Sequence, residues 1–275
     1  LVETIVIISF VAKKAPRGRI KKVRTEARKL VAERPDISQG IERKAPSKPK
    51  TYPKKRGKIA IVIDDWGYNK NNLEILKEID SPLTLAILPF RDYSGEVAEF
   101  ANEHKQEVIV HMPMEPEDKD TVALEPKTLM VYMSRSTIEH VLEEAISNIK
   151  YAKGISNHMG SYATQKKTFM KIVLKKLKRH SLYFLDSYVI ADSVAEEVAQ
   201  EIGVRFAKRS IFLDNESDPS HIRDQLLKLA AEAESNGEAV GICHDRVNTL
   251  FTLKEEMPKL ANKGFQFVFV SEIVE

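Results

Sequence analysis

Carboxylates and histidines stand directly after several short apolar runs of this chain. Asp64 and Asp65 follow the first run, His111 the third, His158 the fourth and His244 the seventh. Imidazole nitrogens and carboxylate oxygens are ligands for divalent metals, and the carboxyl ends of parallel strands meet at one edge of a sheet. The pattern therefore favours a metal site with open positions for water and substrate, zinc being the first candidate. No local ligand motif such as H-E-x-x-H supports it, and each histidine taken singly could be structural.

The adjacent pair Asp64-Asp65 is the sharper signal. Two neighbouring carboxylates at the end of a buried strand repel each other and lose hydration unless positive charge lies nearby, and a metal would supply it. One carboxylate could then bind the metal while the other accepts a proton from the attacking water. The alternative is that Asp65 caps the turn formed by residues 66–69.

The elements that must position these residues are short apolar runs that alternate with amphipathic stretches. This alternation is typical of βα units around a parallel sheet, and seven or eight units predict an α/β barrel. Strands are expected at 58–63, 83–88, 107–110, 154–156, 181–185, 204–207, 239–242 and 265–270. Helices are expected at 72–79, 95–104, 137–152, 166–178, 193–202, 218–235 and 253–262.

Charge divides the 275 residues into a tail, 1–57, and one domain, 58–275. The tail holds 17 Lys and Arg against 5 Asp and Glu, and the domain holds 26 against 35. Because the folded part is acidic, we expect no nucleic-acid partner. The basic, proline-containing stretch 13–57 predicts a disordered linker that stays solvated or rests peripherally on an anionic membrane surface.

The apolar run 5–12 matches the hydrophobic region of a signal peptide in length, although no basic segment precedes it. We interpret residues 1–57 as a truncated signal or anchor segment plus the linker, and we expect an extracytoplasmic location in the cell envelope or outside the cell. No run reaches the roughly 18 apolar residues of a membrane span. The single cysteine, Cys243, excludes an intramolecular disulfide, and a packed residue is the favoured interpretation over a reactive thiol.

Five segments carry a resemblance to a known family: IVIDDWG at 61–67, VHMPM at 110–114, NHMGS at 157–161, FLDS at 184–187 and FLDN at 212–215. They resemble, in order, the divergent polysaccharide deacetylases, a bacterial family within the polysaccharide deacetylase superfamily of carbohydrate esterases. The resemblance covers residues 57–275. It implies a distorted (β/α) barrel of about seven strands and a metal-dependent hydrolase that removes N-acetyl groups from amino-sugar glycans.

The resemblance also implies roles for individual residues. Asp64 would be the general base, and Asp65, His111 and His158 would hold the metal. His244 would be the general acid that protonates the leaving amine. The supporting residues would be Asp186, which orients or charge-balances a neighbour, and Asn157 or Ser161, which line the sugar site. The chain departs from the main superfamily in one respect, since its two metal histidines come from separate strands instead of lying four residues apart.

Two other functions stay open. One is a catalytically weak or inactive envelope protein that binds a glycan or a partner protein at the same carboxyl ends of the strands. Fold alone does not settle function. The other is a hydrolase of a different amide or ester. Aromatic side chains in predicted loops could stack on a sugar ring or could belong to the core; they are Trp66, Tyr68, Tyr93 and Tyr162.

Overall fold

The computed structural model of the protein describes residues 55–275. The expectations for residues 1–54 of the tail lie outside this range. Within the range no helix has the length and apolar character needed to cross a membrane. The strands are β1 Gly57–Trp66, β2 Thr84–Ile87, β3 Glu107–Met114, β4 Gly154–Met159, β5 Tyr183–Asp186, β6 Phe206–Lys208, β7 Ile211–Phe212, β8 Glu238–His244 and β9 Phe265–Val268. The helices are α1 Leu73–Leu76, α2 Ser94–Glu103, α3 Arg135–Asn148, α4 Lys167–Arg179, α5 Ala195–Ile202, α6 Pro219–Asn236 and α7 Val247–Asn262, with short 3₁₀ helices at Ala163–Gln165 and Val270–Glu272.

The strands form one parallel sheet in the order β6-β5-β4-β3-β2-β1-β8-β7, and β9 pairs with β1. On one edge of β1, residues 58–64 pair with β8. On the other edge of β1, residues 57–60 pair with β9, and the residues from Val62 onward pair with β2. The strands β9 and β2 therefore share this edge. The α/β barrel-like fold is confirmed, and within residues 55–275 its sheet has nine parallel strands.

All seven expected helices and all eight expected strands are present, but several strands run further than their apolar residues. The polar positions expected after β1, β3, β4 and β8 are paired members of those strands, as at Asp64, His111 and His158. The strand β7 was missed, because two residues are too short to give a periodic signal. The longer strands matter for function because pairing fixes the backbone under the polar side chains.

Alternation along β1 divides the apolar core into two layers. Ile59, Ile61 and Ile63 belong to the layer between the sheet and the helices, whereas Ala60 and Val62 belong to the layer inside the barrel. Successive side chains of a strand point to opposite faces, and a parallel sheet is covered on both. All five side chains are fully buried, so β1 is held rigidly up to the site residues that follow.

The floor of the barrel is closed by a buried carboxylate at the start of β3. Glu107 Oε1 accepts hydrogen bonds from Thr84 Oγ1 at 3.0 Å, from Tyr183 OH at 2.8 Å and from the backbone N–H of Ser271 at 3.1 Å. Gly154 pairs with Tyr183, and a Cβ at Gly154 would lie 2.5 Å from the tyrosine ring. Glu107 thereby ties β2, β3, β5 and the 270–272 helix together at the end opposite the site.

We predict that Glu107→Ala destabilises the fold by about 3 kcal/mol, because it leaves three donors without their acceptor in a buried position. Glu107→Gln should cost less, since its amide oxygen can still accept. Urea unfolding of both variants, beside the exposed control Glu103→Ala, measures the difference. Equal stability of Glu107→Ala and the control would show that the floor contacts contribute nothing net.

Candidate functional site

Three predicted ligand side chains converge at the carboxyl end of the sheet. Asp65 Oδ1 lies 3.1 Å from His158 Nδ1 and 3.3 Å from His111 Nε2. One potential ligand atom from each of the three residues lies within 4.8 Å of the others. The structure thus forms a mixed nitrogen and oxygen site of the kind that holds a divalent cation.

A bulge in β1 brings both adjacent aspartates to this site. Successive residues of a regular strand point to opposite faces, yet His111 Nε2 is 3.5 Å from Asp64 Oδ2 and 3.3 Å from Asp65 Oδ1. The pairing of β1 with β2 shifts register between Ile63 and Trp66, and Asp65 has a φ of 65°. This left-handed backbone is strained for a residue with a side chain, and it lets the second carboxylate reach the same imidazole as the first.

The two aspartates differ in their electrostatic surroundings. Burial raises the pKa of Asp64 well above its ordinary value, and the charges of Asp65 and Asp214 raise it further while Arg209 opposes them. Burial would also raise the pKa of Asp65, but the hydrogen bonds and charges of His111 and His158 outweigh it and hold that pKa well below the usual range. Asp65 therefore stays ionised, as a metal ligand must.

The residues present fit a divalent cation. Burial lowers the pKa of His111 to about 4, so its ring is neutral at physiological pH and can donate a lone pair. Asp64 Oδ1 and His158 Nε2 are buried and have no hydrogen-bond partner within residues 55–275. Because buried polar atoms are nearly always partnered, the unpartnered oxygen of Asp64, whose other oxygen lies 3.5 Å from His111 Nε2, points to a group such as a cation with its waters beside it.

His244 reaches the site from β8, and a second aspartate holds it. Its Nδ1 donates to Asp214 Oδ1 at 2.9 Å, which turns Nε2 toward Asp65 Oδ2 at 3.7 Å. Asp214 Oδ2 also accepts from the backbone N–H of His244 at 2.9 Å and from Thr249 Oγ1 at 2.8 Å. Burial would raise the pKa of Asp214, but the bonds and charge of His244 together with the Thr249 hydroxyl lower it. An ionised Asp214 fixes the orientation of the imidazole.

The role of Asp214 was missed in the sequence because it follows β7, which gives no strand signal. Arg209, which directly follows β6, also belongs to the surroundings of the site. Its guanidinium donates to the carbonyls of Ser187 at 2.6 Å and Tyr188 at 2.8 Å. It is the positive charge that opposes the raised pKa of Asp64.

The three predicted supporting residues are all engaged with loops around the site. Asp186 is buried and accepts from the Tyr188 N–H and the Ser193 hydroxyl, and burial raises its pKa. Asn157 accepts from the Ser187 N–H at 2.9 Å and donates to a carbonyl. Ser161 Oγ accepts from a loop N–H at 3.0 Å. These contacts order the loops, and the fully buried Asn157 presents no group to a ligand.

Trp66 and Cys243 both lie in strands. Trp66 is the last residue of β1 and is fully buried, so the idea that it stacks on a sugar is wrong. Cys243 lies in β8 and is fully buried; burial raises the pKa of its thiol well above the ordinary value, and Sγ contacts the Val62 carbonyl at 3.4 Å. It is a packed strand residue. Tyr68, by contrast, is 46% exposed, with the Arg91 guanidinium 4.5 Å from its ring centre.

The chain belongs to the divergent polysaccharide deacetylase family, whose model matches residues 61–274. It is 38% identical over 199 residues to the uncharacterized protein YibQ of Escherichia coli (strain K12). That match covers 72% of this chain and 62% of the relative, so the chain spans less than two thirds of the relative's length.

Solved structures show the same fold. The uncharacterized protein ATU2773 of Agrobacterium tumefaciens C58 has a TM-score of 0.77 at 20% identity, covering 80% of this chain and 90% of that one. A mutant described as a CE4 family pseudoenzyme has a TM-score of 0.51 at 17% identity, covering 80% of this chain and 67% of that one.

A further carboxylate, Asp245, adds a pH-dependent cost to folding. It is half-buried beside His244 and accepts from Asn72 Nδ2 at 2.8 Å. Burial raises its pKa from 3.8 to about 6, against the opposing effect of Asn72, and the charge of Asp65 adds to the rise. Because the folded state binds this proton more tightly, the associated stability is present below pH 3.8 and is lost as the pH rises through 6.

We predict that Asp245→Asn stabilises the metal-free protein near pH 7.5 by up to about 3 kcal/mol and changes little at about pH 4. The asparagine keeps the oxygen that accepts from Asn72 but carries no buried charge. Urea unfolding with a chelator present, beside the exposed control Asp80→Asn, measures both values. A variant less stable than the wild-type protein at the higher pH would contradict the predicted sign.

Proposed function

We propose that this protein is a metal-dependent hydrolase that removes N-acetyl groups from an amino-sugar polysaccharide or glycan. One observation carries the proposal: Asp65, His111 and His158 offer ligand atoms within 4.8 Å of one another, directly beside Asp64 and the His244–Asp214 pair. Membership of the deacetylase family supports the substrate class.

Zinc is the proposed metal, held by Asp65, His111 and His158, because it suits a donor set of imidazole and carboxylate with open positions. When bound, such an ion lowers the pKa of water and polarises a carbonyl group. The residues around the metal would position its ligands and balance its charge. The paired backbone of β3 and β4 fixes the two imidazoles, and the charge on Asp65 balances part of the charge of the cation.

Asp64 is the proposed general base. Its carboxylate lies within 3.5 Å of a ligand imidazole without being part of the ligand cluster, so it can accept a proton from water that attacks the acetamide carbon. Burial makes this carboxylate a stronger proton acceptor than an exposed aspartate. The neighbouring Arg209 limits that effect and keeps the ionised form accessible.

His244 is the proposed general acid. Asp214 accepts from Nδ1 and fixes the orientation of the ring, while Nε2 faces the site and can deliver a proton to the leaving amine nitrogen. The acid and the base belong to adjacent strands, since Asp64 and His244 are register partners of β1 and β8. This places them on the same side of the sheet, as a substrate held between them requires.

The alternative is a catalytically weak or inactive envelope protein that binds a glycan or a partner protein at the same end of the barrel. The solved CE4 pseudoenzyme gives a precedent for this fold without activity. We also propose an extracytoplasmic location, with the basic tail in peripheral contact with a membrane, because the apolar run 5–12 and the charge of residues 13–57 favour export and an anionic surface.

The first test is metal binding. We expect protein purified without chelator to hold about one equivalent of a divalent metal, and Asp65→Ala, His111→Ala and His158→Ala each to lose it, because three ligands form the site. Elemental analysis measures the content, and His140→Gln, on the exposed surface of α3, is the matched control. A wild-type protein that binds no metal after loading with zinc would overturn the hydrolase proposal.

The second test is acetate release from N-acetylated amino-sugar oligomers. Asp64→Asn and His244→Gln should lower kcat by roughly 100-fold or more, with the metal content and KM little changed, because proton transfer typically contributes factors of that size. The metal-loaded protein could instead bind these oligomers without releasing acetate, with an affinity that both substitutions leave unchanged. That result would favour the hypothesis of an inactive binding protein.

A further inference from the structure

Each of the three histidines of the site has one ring nitrogen near Asp65 and one that faces away from it. The hydrogen-bond partner of the nitrogen that faces away differs among the three. For His244 it is the Asp214 carboxylate, which can only accept, so Nδ1 always carries a proton. For His158, Nε2 is buried and has no partner within the described chain. For His111 it is the hydroxyl of Ser156, 2.7 Å from Nδ1. A hydroxyl both donates and accepts, so the ring of His111 can change its tautomer and still keep this hydrogen bond.

The contact between His111 and Ser156 is built into the sheet. The two residues are register partners of β3 and β4, their side chains lie on the same face, and they are 2% and 0% exposed. Ser156 Oγ has no other hydrogen-bond partner among residues 55–275. Rigid strands on both sides therefore hold this single bond in place, and only its direction is variable.

The opposite nitrogen of His111 experiences two different environments. Nε2 lies 3.3 Å from Asp65 Oδ1 and 3.5 Å from Asp64 Oδ2. Without a cation, a lone pair on Nε2 would face the ionised Asp65 carboxylate, so electrostatics favour a proton there and a lone pair on Nδ1. With a cation bound to Nε2, that nitrogen must be deprotonated and the proton of the neutral ring must be on Nδ1.

We propose that Ser156 is a positioning residue that reverses its hydrogen bond to His111 when a metal binds. In the metal-free protein the hydroxyl donates to Nδ1 and Nε2–H faces the carboxylates. In the metal-bound protein Nδ1–H donates to the hydroxyl oxygen. The ring keeps one proton throughout, since Nε2 releases one to solvent and Nδ1 takes one up. This inference rests on the metal site of the proposed function and is independent of the reaction performed there.

The test is nuclear magnetic resonance of the ring nitrogens in ¹⁵N-histidine-labelled protein at about pH 8, where an ordinary imidazole is neutral. Spectra are recorded without metal and with one equivalent of zinc, and His111→Gln assigns the signals. We expect the Nε2–H tautomer of His111 without zinc and the Nδ1–H tautomer with it. His244 should keep Nδ1–H in both states and serves as the internal reference.

Variants test the same bond through zinc affinity. Ser156→Ala should weaken zinc binding by roughly tenfold to hundredfold, the usual effect of removing the group that orients a metal-binding histidine. Ser156→Thr, which keeps the hydroxyl, should restore most of the affinity. Ser187→Ala is the matched control, because it removes a buried hydroxyl near the site that has no hydrogen-bond partner in the described chain. Competition with a chelator measures each affinity.

The outcomes separate this inference from the proposed function. Zinc bound with one unchanged tautomer of His111, or an affinity that Ser156→Ala leaves intact, would overturn the role of Ser156 while leaving the hydrolase proposal standing. A tautomer change in a protein that releases no acetate would support Ser156 and count against hydrolysis. A protein that does not bind zinc would overturn both.

Discussion

The crowding of Asp64 and Asp65 beside one buried imidazole is the constraint on which the rest of the site depends. Consecutive strand residues reach the same atom only because β1 bulges and Asp65 adopts a left-handed conformation, a strain that costs about 1–3 kcal/mol. Two carboxylates so close together repel each other and are poorly hydrated. The His111 ring is neutral, and the positive charge of Arg209 only partly opposes the rise in the pKa of Asp64. A divalent cation is therefore the group that best offsets the repulsion between the two carboxylates.

The register of the parallel strands determines which side chains of the site lie next to each other. Asp64 pairs with His244 and His111 pairs with Ser156, so each pair occupies one face at one height of the sheet. The apolar residues that precede them are fully buried on both faces, which makes the strand ends stiff platforms. Loops then contribute orientation from outside, as Asp214 does for His244. The main side chains of the site therefore lie on strands, and Asp214 shows that further support comes from a segment between strands.

The fold and the ligand cluster could be predicted from the sequence because both follow from strong periodic signals. Apolar runs located the strands, and polar residues immediately after them located Asp65, His111, His158 and His244. The bulge at Asp65 could not be predicted, since nothing in the residues 61–67 requires a register shift. The roles of Asp214 and Ser156 were missed for a related reason. One follows a two-residue strand and the other lies inside a strand, so their importance depends on a neighbour that is distant in sequence.

In the proposed reaction, the burial that distinguishes the two aspartates would also link metal binding to catalysis. Without a cation, burial raises the pKa of Asp64, so its ionised form, which is the form that can serve as a base, is less favoured than in an exposed aspartate. A cation held by the adjacent ligands favours the ionised form of every carboxylate near it. The same ion would thus bring the carbonyl group and the base into their reactive states together. The fold alone does not guarantee this coupling, because loss of a single metal ligand would leave Asp64 buried without the charge of the cation in an otherwise intact barrel.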